Sequence, residues 1–98
     1  MWRQGDVMIQ AVASIPRDAL RRSDLVLAEG ALTGHRHEVR PPRAARLFEL
    51  EGTLFLEVSE PSAEVVHPEH GPIPLERGIY RIWRQREFDG GSARFVMD

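Results

Sequence analysis

The chain contains no cysteine, no lysine and no asparagine among its 98 residues. Without cysteine there is no thiolate nucleophile, no disulfide and no sulfur-ligated zinc or iron–sulfur centre. Without lysine there is no Schiff base and no phosphate-loop lysine. Serine never falls in a nucleophile-elbow pattern, which argues against a serine hydrolase. No apolar run reaches bilayer-spanning length. The opening "MWRQGDVMIQ" meets Asp6 before the apolar core of a leader can form. A cytoplasmic protein without membrane contact is expected. Arginine alone supplies the 13 strongly basic side chains, a usage that fits codon bias in a GC-rich genome. The formal net charge is −2, whereas general nucleic-acid binding rests on a basic surplus.

The remaining composition is that of a folded domain. Hydrophobic residues make up 42% and charged residues 29%, too apolar for disorder. Residues 1–98 are enough for one domain with one core.

Glycine and proline punctuate the chain, with strand-like runs between them. Asp6–Val12 and Asp24–Gly30 read as strands. Arg17–Arg22 reads as a helical turn or two, too short to stand alone. The stretch after Gly34 is extended until Pro41 and Pro42 close it. In "RLFELEGTLFLEVSE" two apolar runs flank Glu51-Gly52, a hairpin signal. Leu54, Leu56 and Val58 there alternate with Thr53, Glu57 and Ser59, as on a half-buried strand. "GPIPLERG" reads as a proline-rich loop. Ile79–Phe88 is the longest strand candidate, read as an exposed edge whose charges discourage pairing. Asp89-Gly90-Gly91 turns it into "ARFVMD". The pattern predicts an all-β protein, a small single-domain β-barrel or a two-sheet sandwich.

Histidine is scarce but unevenly placed. All 4 fall in "GHRHEV" (34–39) and "HPEHGP" (67–72). His35 and His37, at i and i+2, leave the same face of a strand, about 7 Å apart. His67 and His70 flank Pro68-Glu69, a spacing that suits a turn aiming both rings at one point. Two such pairs can converge on one divalent ion. Imidazole-rich, thiol-free ligation suits zinc first, with iron, nickel and copper as the other choices. Three other readings stay open. The rings can be loop residues bonded to backbone, a protonation switch, or a metal-free base and acid on a phosphodiester.

Weaker constellations surround them. Arg36, Arg40, Arg43 and Arg46 form a basic stretch that can hold a phosphate or simply face solvent. Trp2 and Trp83 read as core or partial core.

The "QGDV" opening, the Gly-His-x-His and His-x-Glu-His elements and the Gly-x-Tyr strand ending in Gln85-Arg86-Glu87 resemble a group of small uncharacterised bacterial proteins. The likeness covers most of the chain outside residues 16–24 and 41–46. It marks the histidines and Gln85-Arg86-Glu87 as the element to test and implies no activity. A looser resemblance is to cupins, small β-barrels whose metal sits on an HxH, a later Glu and a later His. His35 and His37 match the HxH, but Arg40 or Pro41 stands where a cupin has its Glu, and a histidine pair replaces the single later His.

The expectation is therefore a metal-binding β-domain with His35, His37, His67 and His70 as ligands. A closed site makes the metal structural. A site with one open position makes metal-assisted hydrolysis available, with Glu69 or Glu87 as base and Gln85 and Arg86 binding substrate. The alternatives are a non-catalytic module docking a protein partner through its arginine-bearing strand, and the metal-free phosphodiesterase. The ligand is an unknown small molecule or protein, and a homodimer is compatible with a barrel of this size.

Overall fold

The structure, a computed structural model, describes residues 1–30, 32–89 and 92–95, those from 86 onward by backbone path alone. Among them the fold is all-β. The strands are β1 (Trp2–Gln4), β2 (Val7–Val12), β3 (Leu20–Arg21), β4 (Val26–Glu29), β5 (Arg36–Arg40), β6 (Ala45–Leu50), β7 (Thr53–His67), β8 (His70–Arg84), β9 (Arg86–Asp89) and β10 (Ser92–Phe95). A single 3-10 turn, Pro42–Ala44, links β5 to β6.

One antiparallel sheet of 8 strands carries the core, in the order β1-β2-β8-β7-β5-β4, with β6 also on β7 and β3 on β6. The centre is the long β7–β8 hairpin. β7 pairs β6 along Thr53–Val58 and β5 along Glu64–Val66. The register slips between Val58 and Ser62, and such a bulge bends the strand and deepens its twist. The sheet therefore curls into a half-barrel rather than forming a sandwich. Ile9, Leu47, Leu56, Leu75 and Ile82 fill its concave side, each at most 1% exposed. Burying one such side chain is worth roughly 1.5–3 kcal/mol.

Several expected elements appear as read. Leu54, Leu56 and Val58 point inward. Leu50 pairs Thr53, so Glu51-Gly52 is a two-residue turn with φ of 50° and 83°. Positive φ at both central positions is the type I′ geometry that matches strand twist.

Other expectations are corrected. Arg17–Arg22 forms no helix; Leu20 and Arg21 pair Glu49 and Phe48 instead, because six residues without an apolar helical stripe gain more from an open edge. "GPIPLERG" is not a loop but the first half of β8, with Ile73 and Leu75 buried between exposed prolines. β2 reaches β8 only at Ile79–Arg84, so the earlier half lies open on that side and the missing proline N–H groups cost no ladder bond. Ile79–Phe88 is not an exposed edge. Its strand ends at Arg84 and lies between β2 and β7, with Tyr80 and Ile82 buried and Arg81 outward. Ile79–Ile82 therefore presents no open strand edge. Gly90 and Gly91 lie outside the described residues, but Ser92 pairs Asp89 across them. Trp2 is half-buried, edge-on to Tyr80 at 5.6 Å, and Trp83 is half-buried under the Arg81 guanidinium at 4.8 Å.

Candidate functional site at the histidine cluster

Strand alternation decides which way β5 presents its side chains. Arg36 and Arg40 point to solvent, while His37 and Val39 point inward, each 1% exposed. His35 precedes the strand, its main-chain N–H donating to Thr33 Oγ1 at 3.2 Å. On the neighbouring β7, Ala63, Val65 and His67 face inward by the same alternation. His70 opens β8 directly opposite His67, so Pro68-Glu69 is the turn of a hairpin. The curl brings this turn against the start of β5.

All four histidines meet there. Ring centroids lie 4.3 Å apart for His37 and His67, 4.5 Å for His67 and His70, 5.6 Å for His35 and His67, and 5.9 Å for His37 and His70. His67 is the hub. His37 and His67 are buried, and His35 and His70 are half-buried.

Two residues that sequence reasoning did not single out complete the cluster. Gln4 and Asp6 flank Gly5 in the β1–β2 hairpin and are 3% and 0% exposed. The Gln4 amide donates to Val65 O at 3.1 Å and Gly71 O at 2.8 Å, tying β1 to the end of the β7–β8 hairpin. Carbonyl oxygens only accept, so both amide hydrogens are used and Gln4 Oε1 faces His37 Nδ1 at 2.8 Å as an acceptor. His37 Nδ1 must therefore carry a proton, which in the neutral ring makes Nε2 the acceptor. His67 is held the other way. The Glu69 main-chain N–H donates to His67 Nδ1 at 3.0 Å, which puts the proton of the neutral ring on Nε2.

Asp6 Oδ1 lies 3.8 Å from His37 Nε2. Its Oδ2 accepts from Arg84 Nε at 2.7 Å, so the buried carboxylate has the partner that burial demands. The only cue to Gln4 and Asp6 was "QGDV" itself, in which two polar residues beside a turn glycine look solvent-facing.

The other site candidates fall as follows. The Glu69 side chain is 60% exposed and pairs with His35 Nδ1 at 3.4 Å, over the mouth of the cluster. The Gln85 main-chain N–H donates to Asp6 O at 2.7 Å. Its side chain lines a groove with Thr53, Arg81 and Trp83 that none of the histidines lines. The side chains of Arg86 and Glu87 lie outside the described residues. Where a cupin has its carboxylate stands Arg40, the last residue of β5, which points outward, or Pro41 after it; the carboxylate that does face His37 is Asp6. Among the described residues, no group of three or more histidine, aspartate or glutamate side chains already has the spacing of a metal-ligand set.

The basic stretch beside the first histidine pair is dispersed by the fold. Arg36 pairs with Glu29, Arg40 with Glu38, Arg43 with Glu60 and Arg46 with Glu57, at 3.4 to 3.9 Å.

The chain belongs to a domain family of unknown function, DUF8820, whose match spans residues 3–85. That span takes in Gln4, Asp6, all four histidines and Arg84. It stops before Arg86 and Glu87. No curated protein and no solved structure matches the chain. No helix among the described residues is long and apolar enough to cross a membrane.

Proposed function

We propose that the histidine cluster is a binding site for one divalent transition-metal ion, zinc foremost, with His37 as its anchoring ligand. The observation that carries this reading is the Gln4 clamp. A histidine that ligates through one ring nitrogen usually donates the other N–H to a fixed acceptor, which sets the tautomer and raises basicity. His37 has that arrangement; its ring lies against His67 and His70, and its Nε2 is 3.8 Å from the Asp6 carboxylate. Nitrogen and oxygen donors without sulfur suit zinc, iron, nickel or copper. A cupin-like set would need a carboxylate after His37 on β5, and here Asp6 from the β1–β2 turn is the oxygen donor.

A loaded site requires the rings to move from the spacing described, and His67 shows what one such change involves. His67 can ligate through Nε2 only with a proton on Nδ1, and then the Glu69 N–H has no acceptor. It can ligate through Nδ1 only by leaving that N–H. Metal binding through His67 therefore breaks the Glu69–His67 contact. Were one position left to water, Glu69 would be the residue to take its proton.

The test is metal content and zinc titration on protein purified without chelator or metal resin. About one equivalent is expected, lost in His35→Ala/His37→Ala, with a shift of the Glu69 amide on loading. No uptake of zinc, iron, nickel or copper would overturn the reading.

A second reading rests on the tautomers. His37 presents a lone pair and His67 an N–H at equivalent ring positions, the pairing of base and acid that phosphodiester cleavage needs. Metal-free hydrolysis of bis(p-nitrophenyl) phosphate, lost in either His37→Ala or His67→Ala, would favour it over the metal.

A further inference from the structure

The arginines that are adjacent in sequence separate in space, and two of them join arginines from elsewhere. β5 and β6 pair along the same edge of β7, one after the other, so they diverge from the Pro42–Ala44 turn and leave a seam. The segment between β3 and β4 lies along it, tied by Arg22 N–H to Leu47 O at 2.7 Å and by Val39 N–H to Leu25 O at 3.1 Å. The result is a groove of about 430 Å³ lined by Arg21, Arg22, Arg40 and Arg46, with Asp24 and Glu38 as its acids. Four arginines from three separate segments meet two carboxylates there.

We infer that this groove, which none of the histidines lines, binds a phosphate-bearing small molecule. Arg22 is already committed, to Asp24 at 3.1 Å and Glu49 at 3.4 Å. Burial pushes the Asp24 carboxyl up, but the Val26 N–H it accepts and the Arg22 charge outweigh that and hold it below the ordinary carboxylate range. Asp24 thus stays ionised and serves as the brace for Arg22. The other three are available. Arg40 meets Glu38 at 3.4 Å and Arg46 meets Glu57 at 3.9 Å, with both arginine side chains more than half exposed. Such long exposed contacts hold little energy and exchange readily for a better partner. Arg21 lies on the exposed face of β3. A guanidinium fork matches phosphate oxygens two at a time. The groove has the size of a small-ligand site, and the net charge of −2 disfavours a polyanion such as nucleic acid.

The experiment is titration of 15N-labelled protein with inorganic phosphate and with pyrophosphate, at constant ionic strength set by sodium chloride. Saturable shifts are expected at the amides of Arg22, Leu25 and Arg40. Affinity should fall about tenfold in Arg40→Gln/Arg46→Gln and stay unchanged in Arg43→Gln, which lies outside the groove. Circular dichroism checks that both variants fold. Three results would overturn the inference: shifts that never saturate, equal weakening in Arg43→Gln, or shifts centred on the histidine amides. None of them bears on metal uptake, so the two proposals stand or fall separately.

Discussion

Replacing Gln4 by Met tests the clamp that orders the histidine cluster. The substitution keeps the side-chain length and removes every polar atom. Three groups then lose a partner: Val65 O, Gly71 O and the His37 Nδ1–H. Gln4 is 3% exposed, so water cannot take its place without opening the turn. Leaving a buried polar group unsatisfied costs about 1–3 kcal/mol. Three such groups, two of them carbonyls with a second lone pair, give a loss of about 3–4 kcal/mol. That is a large part of the roughly 5–15 kcal/mol by which domains are stable. For a chain of this size it lowers Tm by about 12 °C or more. Urea unfolding reads the energy, and long-range 1H–15N spectra of the imidazoles read the tautomer. In the wild type His37 should carry its proton on Nδ1; in Gln4→Met the two tautomers should mix. Gln4→Glu keeps the acceptor for His37 but loses both donors, so it should destabilise while leaving the tautomer in place. A loss below about 1 kcal/mol in Gln4→Met, with the His37 tautomer unaltered, would refute the clamp.

Arg84→Ala removes the ion-pair partner of the fully buried Asp6 carboxylate and should cost about 3–5 kcal/mol. Arg81→Ala, three residues earlier and outward, should cost no more than about 1 kcal/mol in chemical denaturation. The Tyr80 hydroxyl donates to Glu76 O at 2.6 Å. Burial, and then the Glu76 charge, push its pKa above the ordinary value despite that bond. Folding then favours the protonated phenol. Stability should be flat below about pH 10 and fall as pH rises through the folded value. The chain has 1 tyrosine and neither lysine nor cysteine, so Tyr80→Phe should abolish the slope of urea midpoint against pH in that range. At the β6–β7 turn, Glu51 has φ 50° ahead of Gly52. Glu51→Asn should stabilise by about 0.5–1 kcal/mol, read as a higher thermal midpoint; a fall would mean the turn is not type I′ in solution.

Much of the architecture can be read from short-range pattern. The alternation of Leu54, Leu56 and Val58, the Glu51-Gly52 turn and the extended runs at β2, β4 and β5 follow from side-chain period and turn chemistry, which act over a few residues. Where the reading failed, the deciding partner was distant. Pro72 and Pro74 look like loop residues until β2 is seen to stop short of them. Leu20-Arg21 has no local reason to be a strand; Phe48 and Glu49 supply it.

The same division runs through the functional site. The paired histidine motifs singled out His35, His37, His67 and His70 as candidates for one site, because imidazole is scarce here, but left loop, switch and acid–base readings open beside the metal. They could not say that Gln4 fixes one ring's tautomer and the Glu69 main chain the opposite tautomer in its neighbour. Nor could they say that Asp6 and Arg84, 78 residues apart, form the buried ion pair beneath them, or that Arg40 and Arg46 part from Arg36 and Arg43 to join Arg21 and Arg22. Proton placement and charge pairing depend on distances of a few ångströms between atoms far apart in the chain, and only the curl of the β7–β8 hairpin sets those distances.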